Sequence, residues 1–154
     1  MEIRAAKTEE LDAIYMMGYD AWSDGVSKKD YLDGCRTSKK YKAGKWYVLL
    51  DGEGLISSLA VYSSGFGIPQ RYCGIGSVAT KPQKRSCGYA CKLLMAVCKI
   101  LQREGFNGVY LHSDIESSFY ERLGFTVVAE SASKCMALPF SQLERLPEEI
   151  PSYF

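Results

Sequence analysis

The spacing of hydrophobic positions changes several times along the chain, and each change marks an element. Residues 2–6 (EIRAA) read as a short strand. Thr8 opens T-E-E-L, a capping pattern in which the fourth position is Leu11 rather than Glu or Gln. Leu11, Ile14, Tyr15, Tyr19 and Trp22 then recur at helical spacing, and "SDG" at 23–25 breaks that helix. Ser27 predicts the cap of a second, lysine-rich helix over 28–40.

From Lys45 the period shortens. "KWYVLLDGEGLISSLAVYSS" is two apolar runs around D-G-E-G, a hairpin signal. "RYCGIGSVATKP" predicts a further strand that ends before Pro82. Residues 86–104 form the clearest helix, with Ala90, Leu93, Leu94, Val97 and Leu101 as its core stripe. Cys91, Met95 and Cys98 widen that stripe, and Gly105 is the C-cap. "GVYLHSD" reads as a strand, "ESSFYERLG" as a short helix ended by Gly124, and "FTVVAES" and "KCMAL" as a closing pair of strands. A strand meander before one long crossover helix implies an α/β (α+β mixed) sheet rather than a regular βαβ repeat. The expected organisation is one domain over 1–138, with a proline-punctuated tail over 139–154. Apolar tail residues Leu143, Leu146, Ile150 and Phe154 are expected to cover either a partner or the chain's own core.

Composition narrows the function classes. The 154 residues carry 19 Lys+Arg against 18 Asp+Glu, a net charge of +1. That balance argues against broad electrostatic binding to nucleic acid or anionic membrane. The first residues carry charges where a signal peptide needs an apolar stretch, and the longest apolar runs are strand-sized. The expected location is the cytoplasm. Six cysteines include no C-x-x-C pair, and His112 is the only histidine. No metal is expected, and the cysteines read as small buried hydrophobes in a reduced compartment.

Two glycine patterns compete as anion sites. "GIGSVA" at 74–79 matches G-x-G-x-x-A, the dinucleotide fingerprint, but its glycines lie inside a strand and Pro82 intervenes before any helix. They read instead as a bulge, or as a place where another segment or ligand approaches the strand. "RSCGYA" at 85–90 follows a strand and opens the long helix. A helix start offers unpaired N–H groups and partial positive charge, Gly88 removes a side chain there, Ala90 keeps the next turn small, and Lys84 and Arg85 add charge. No Walker loop occurs.

The wider context resembles the GNAT superfamily of N-acetyltransferases. "VATKPQKRSCGYACKLL" resembles its motif A, with Val78, Thr80, Pro82, Arg85, Gly88 and Ala90 filling the pattern V-x-T-x-P followed by R/Q-x-x-G-x-G/A. "SDIESSFYERLGF" resembles motif B through Phe119, Tyr120, Leu123, Gly124 and Phe125. Two departures stand out: Ser86-Cys87-Gly88 where relatives often carry G-K-G or G-R-G, and Ser113 where many carry Asn.

The resemblance implies an acyl-CoA N-acyltransferase fold: a mostly antiparallel sheet, splayed between parallel strands at 72–80 and 107–113, with helices on both faces. It implies acetyl transfer from acetyl-CoA to a primary amine by direct attack on the thioester. The cofactor-binding set it suggests is Val78, Ala79, Thr80, Lys84, Arg85, Ser86, Cys87, Gly88, Tyr89, Ala90, Ser113 and Phe119. Tyr120 matches the usual general acid for the leaving thiolate. The strand 71–80 has no carboxylate to serve as base, which leaves His112 or a water chain. Asp20, Asp24, Asp30 and Asp33 stand in the segment that usually sets specificity and are able to attract a cationic amine. The expected partners are acetyl-CoA and an amine acceptor, small-molecule rather than protein, with no nucleic acid and no membrane, in a monomer or homodimer. The rival reading is a catalytically idle acyl-CoA-binding or regulatory module.

Overall fold

Seven strands form one mixed sheet in the order β1-β2-β3-β4-β5-β7-β6 in the computed structural model, which describes residues 1–130, 133–143 and 145–154. The strands are β1 (Glu2–Ala5), β2 (Lys45–Asp51), β3 (Gly54–Tyr62), β4 (Tyr72–Thr80), β5 (Gly108–Ser113), β6 (Thr126–Ala129) and β7 (Lys134–Pro139). Six helices connect them: α1 (Leu11–Met16), α2 (Tyr19–Trp22), α3 (Lys28–Thr37), α4 (Lys39–Ala43), α5 (Tyr89–Arg103) and α6 (Ser117–Glu121). The expected mixed α/β architecture is present, and backbone contacts divide the chain into two units.

The first unit comprises Met1–Ala60 and Ser77–Ala96. β1 pairs antiparallel with β2, Glu2 opposite Leu50 and Ala5 opposite Tyr47. Val48, Leu49, Leu59 and Leu93 are fully buried. The first helical cap lies one residue earlier than the sequence predicts. Lys7, not Thr8, is the cap residue of a short 3-10 turn over Thr8–Glu10, and its N–H donates to Glu10 Oε1 at 2.7 Å. Arg4 donates to both Glu10 oxygens at 2.8 and 2.9 Å. Those bonds from Arg4, then the one from Lys7, lower the Glu10 carboxyl to about 2.

The two predicted helices of this unit are each divided. Between α1 and α2 stands Gly18, where a Cβ would overlap the Trp22 ring. Between α3 and α4 stands Ser38, which ends one helix and caps the next by accepting from Tyr41 N–H at 3.2 Å. Ser27 caps α3 as predicted, accepting from Asp30 N–H at 3.2 Å.

The second unit comprises Val61–Gly76 and Val97–Phe154. β4 and β5 are parallel, with Tyr72, Cys73 and Gly74 opposite Gly108, Val109 and Tyr110. β5 also pairs antiparallel with β7 over its whole length, from Gly108–Pro139 to Ser113–Lys134. β6 pairs with β7 through a register shift between Val127 and Ala129. The predicted strand at 125–131 is present as Thr126–Ala129, and its last position, Ser131, lies outside the described residues. Gly124, at φ 101°, follows the short α6 where the sequence placed the helix stop.

The glycines set aside as a nucleotide fingerprint serve a close approach of chain. A Cβ on Gly74 would stand 2.6 Å from Phe154 Cζ, and one on Gly76 would stand 3.3 Å from Tyr62 Cε2. Phe154 is buried and packs on Tyr62 and Phe66 at ring separations of 5.9 and 5.8 Å. Ser152 fixes this segment, its N–H donating to Phe66 O at 2.8 Å. Leu143, by contrast, is 97% exposed.

Candidate active site

The first unit carries the motif A residues on one continuous path, from the end of β4 through a 3-10 turn (Pro82–Lys84) into α5. Ser77 interrupts the strand with φ 51°, an uncommon conformation for a residue with a side chain. Beyond it the strand end is anchored. Ser57 Oγ donates to Ala79 O at 2.8 Å and lies 3.0 Å from Thr80 Oγ1. Thr80 is buried, whereas Val78 and Ala79 are half-buried.

Arg85 fastens the next segment. Its Nε donates to Thr80 O at 2.9 Å, its Nη2 to Met17 O at 3.3 Å, and its guanidinium clasps Asp20 at 2.6 and 2.8 Å. The side chain therefore works inward on protein groups, and the hydrogen bonds from Arg85 hold the Asp20 carboxyl below its usual range. Lys84 lies 3.6 Å from Glu53.

After Arg85 the backbone turns left-handed twice, at Ser86 (φ 61°) and Gly88 (φ 82°). α5 therefore begins at Tyr89 rather than at 86 as predicted. Its first bond of the turn runs from Lys92 N–H to Gly88 O at 3.0 Å. The N–H groups before that bond belong to the helix start, where the helix supplies no carbonyl partner. A Cβ built on Gly88 meets no atom within 4 Å, so a ligand can approach the backbone closely there. Alternating left-handed residues at a helix start form an anion-binding concavity. Residues 85–90 thus fit a pyrophosphate in both conformation and access.

The second unit holds the motif B residues. Ser113 is buried at the end of β5 and donates to Ile115 O at 2.7 Å, which shapes the turn into α6. Tyr120 is buried within α6, its ring edge-on to Phe119 at 5.0 Å and to Phe125 at 5.9 Å. Burial pushes the Tyr120 hydroxyl above its ordinary value, so it carries its proton at neutral pH.

His112 is engaged with the C-terminal segment. Its Nε2 lies 2.9 Å from Ser152 O, an acceptor only, so Nε2 carries the hydrogen. Nδ1 is buried with no hydrogen-bond partner among the described residues, and burial lowers the pKa of the ring. The imidazole also packs on Phe154 at 4.8 Å and Tyr153 at 5.3 Å.

The cysteines differ from one another more than the sequence suggests. Cys98 and Cys73 are buried, and burial pushes both thiols up to about 12. Such thiols are poor nucleophiles at neutral pH. Cys91 is half-buried, and Cys87 is exposed rather than a packing residue, because it sits in the left-handed turn with Sγ 3.4 Å from Arg85 O. Among the described residues no group of three His, Cys, Asp or Glu side chains is placed to hold a metal ion. No helix among them is long and apolar enough to cross a membrane.

Of the four aspartates flagged for an amine, two are otherwise occupied. Asp20 is bound by Arg85, and Asp33 pairs with Arg36 at 3.6 Å. Asp24 and Asp30 face a cavity described below. The anchoring roles of Arg85, Ser57 and Met17 escaped sequence reading, because apart from Thr80 for Arg85 the partners lie tens of residues away. The positive φ of Ser77 and of Ser86 lacked any signal, since serine has no left-handed preference.

The same fold recurs in solved structures. A GNAT family acetyltransferase from Brucella melitensis, in complex with acetyl-CoA, shares 21% identity over 99% of this chain and 95% of that one, with a TM-score of 0.70. The ribosomal-protein-S18-alanine N-acetyltransferase from Escherichia coli shares 17% over 93% and 96%, with a TM-score of 0.68. The PaiA N-acetyltransferase from Thermoplasma acidophilum, in complex with coenzyme A, shares 16% over 91% and 100%, with a TM-score of 0.65. No curated protein matches the chain. These likenesses carry the fold. Residues 2–128 match the acetyltransferase (GNAT) domain as a sequence family, spanning both motifs, and the chain belongs to that family.

Proposed function

We propose that the protein transfers an acetyl group from acetyl-CoA to a primary amine of a small molecule. The observation that carries this reading is the turn at 85–90, where two left-handed residues and an open glycine precede a 15-residue helix within a matched GNAT domain. Backbone N–H groups of residues 86–90 would hold the pyrophosphate, with Ser86, Cys87, Gly88, Tyr89 and Ala90 forming the wall, while the Arg85 N–H already donates to Pro82 O at 3.4 Å. Lys84, half-buried and 3.6 Å from Glu53, adds positive charge, and Arg85 acts as a positioning residue through Asp20 and Thr80. Val78, Ala79 and Thr80 offer strand backbone to the pantetheine arm; Ser113 and Phe119, in the second unit, stand in the cofactor set by motif resemblance alone.

When bound, acetyl-CoA supplies the acetyl group and a thiolate leaving group. Tyr120 holds the proton that the thiolate needs, kept in place by a raised pKa. Water takes the proton from the amine. His112 keeps its Nε2 hydrogen on Ser152 and acts on the position of the C-terminal segment.

The test is release of free CoA thiol in the presence of acetyl-CoA and a panel of amines. Amine-dependent release is expected, with turnover reduced about a hundredfold in Tyr120→Phe while acetyl-CoA still binds. Acetyl-CoA binding without release for any amine would favour an idle binding module. No binding would remove the proposal.

A further inference from the structure

Within the first unit, a cavity of about 400 Å³ opens between the S-D-G turn and α3, lined among others by Trp22, Asp24, Asp30, Tyr31, Cys35 and Tyr41. Its walls are aromatic and its charge is acidic. Trp22 is 42% exposed, yet its ring is held against Gly18, where no side chain would fit. Tyr31 is braced edge-on by Tyr19 at 5.3 Å. Tyr41 stacks on Tyr15 at 5.6 Å and meets Trp46 edge-on at 5.3 Å. Asp24 and Asp30, unlike Asp20 and Asp33, form no ion pair among the described residues. The Tyr41 side chain lies within electrostatic reach of Ser77, the left-handed residue of β4 that directly precedes Val78 and Ala79.

Aromatic faces and unpaired carboxylates together favour an organic cation. The reacting nitrogen itself must be neutral to attack. A carboxylate beside it would stabilise the protonated, unreactive form. A carboxylate at the reacting nitrogen could also serve as its base, but the cavity is lined by no residue of β4 among the described residues, so Asp24 and Asp30 are placed for a second, non-reacting ammonium.

We infer that the acceptor is a small molecule with two basic nitrogens, one held as a cation between Asp24, Asp30 and the aromatic walls, the other presented to β4. This rests on the proposed acetyl transfer. The reaction balances without another reactant: the neutral nitrogen forms the C–N bond, the C–S bond breaks, and one proton leaves nitrogen as one is gained by sulfur. A linear diamine and a ring bearing two amino groups share this chemistry.

Thiol release is measured with putrescine, with diaminocyclohexane, and with n-butylamine, which keeps the putrescine chain but lacks the second nitrogen. At least one diamine is expected to exceed n-butylamine about tenfold in kcat/KM; which one does so separates the linear from the cyclic source. In Asp24→Asn/Asp30→Asn that ratio falls to about one. Asparagine tolerates the left-handed φ of 49° at position 24, so the variant keeps the turn. Equal use of n-butylamine by the wild type, or an unchanged ratio in the double variant, overturns the inference. Calorimetric titration of both diamines into the acetyl-CoA-free protein is independent of turnover. Diamine binding that the double variant loses supports the pocket even if acetyl transfer fails for every amine. No diamine binding by the wild type overturns it even if transfer succeeds.

Discussion

Arg85 clasps Asp20 through two hydrogen bonds, from Nη1 at 2.6 Å and from Nη2 at 2.8 Å, across 65 residues of sequence. The same guanidinium reaches Thr80 O and Met17 O. One side chain thus ties the end of the first helices to the end of β4, just before the left-handed turn. The pair is half-exposed, so its direct worth to stability is at most about 1 kcal/mol. Its value lies in holding the turn. Arg85→Ala is expected to leave the unfolding midpoint nearly unchanged and to weaken acetyl-CoA binding about fivefold, the equivalent of ~1 kcal/mol. Denaturant melts and calorimetry read the two effects separately.

The contact between Gly74 and Phe154 gives a second expectation. A methyl group at 74 would enter within 2.6 Å of the Phe154 ring and 2.9 Å of Ile68 Cδ1. Gly74→Ala is expected to cost about 1–3 kcal/mol through overpacking. Phe154→Ala is expected to cost about 3 kcal/mol through the lost ring. The double variant should cost less than the sum by at least ~0.5 kcal/mol, because removing the ring makes room for the methyl. A denaturant double-mutant cycle checks this.

His112 sets a pH dependence of stability. Burial lowers its folded pKa below 6.5, outweighing the hydrogen bond to Ser152 and the charge of Asp114. As pH falls below 6.5 the unfolded chain takes up a proton that the folded chain resists. Stability contributed by neutral His112 is therefore present above pH 6.5 and lost as pH falls toward its folded pKa. Replacing it with Gln should flatten stability over that interval, as read by denaturation at stepped pH. Glu10 acts in a lower window. Its contribution is present above the ordinary 4.5 and lost as pH falls through about 2, and Glu10→Gln should remove that step.

Element types were largely legible, because burial imposes a period. The strand at 72–80 and the stripe Ala90, Leu93, Leu94, Val97 and Leu101 follow from apolar spacing, and all of the stripe but the half-buried Ala90 is buried. Boundaries were less legible where one residue serves two elements. Ser38 both ends α3 and caps α4, and a pattern reading sees one continuous lysine-rich helix. The start of α5 shifted from 86 to Tyr89 because Ser86 adopts a positive φ that its residue type does not announce. At the site, local motifs identified the turn at 85–90, since its chemistry lies in consecutive backbone groups. The inward role of Arg85 was hidden, since its charge looks the same in sequence whether it meets a phosphate or Asp20. Likewise Asp20 and Asp24 are indistinguishable as letters, although one is paired and the other faces a cavity.

If the turn at 85–90 receives acetyl-CoA, a side chain at Gly88 should obstruct it. Its φ of 82° penalises any side chain by about 1–2 kcal/mol, yet a Cβ there touches no protein atom within 4 Å. Calorimetric titration of acetyl-CoA into the wild type and into Gly88→Val, with folding verified by thermal melt, separates the two effects. Saturable binding by the wild type, weakened at least about tenfold in a variant that remains folded, is the predicted result. No binding by the wild type, or equal affinity in the folded variant, would contradict it.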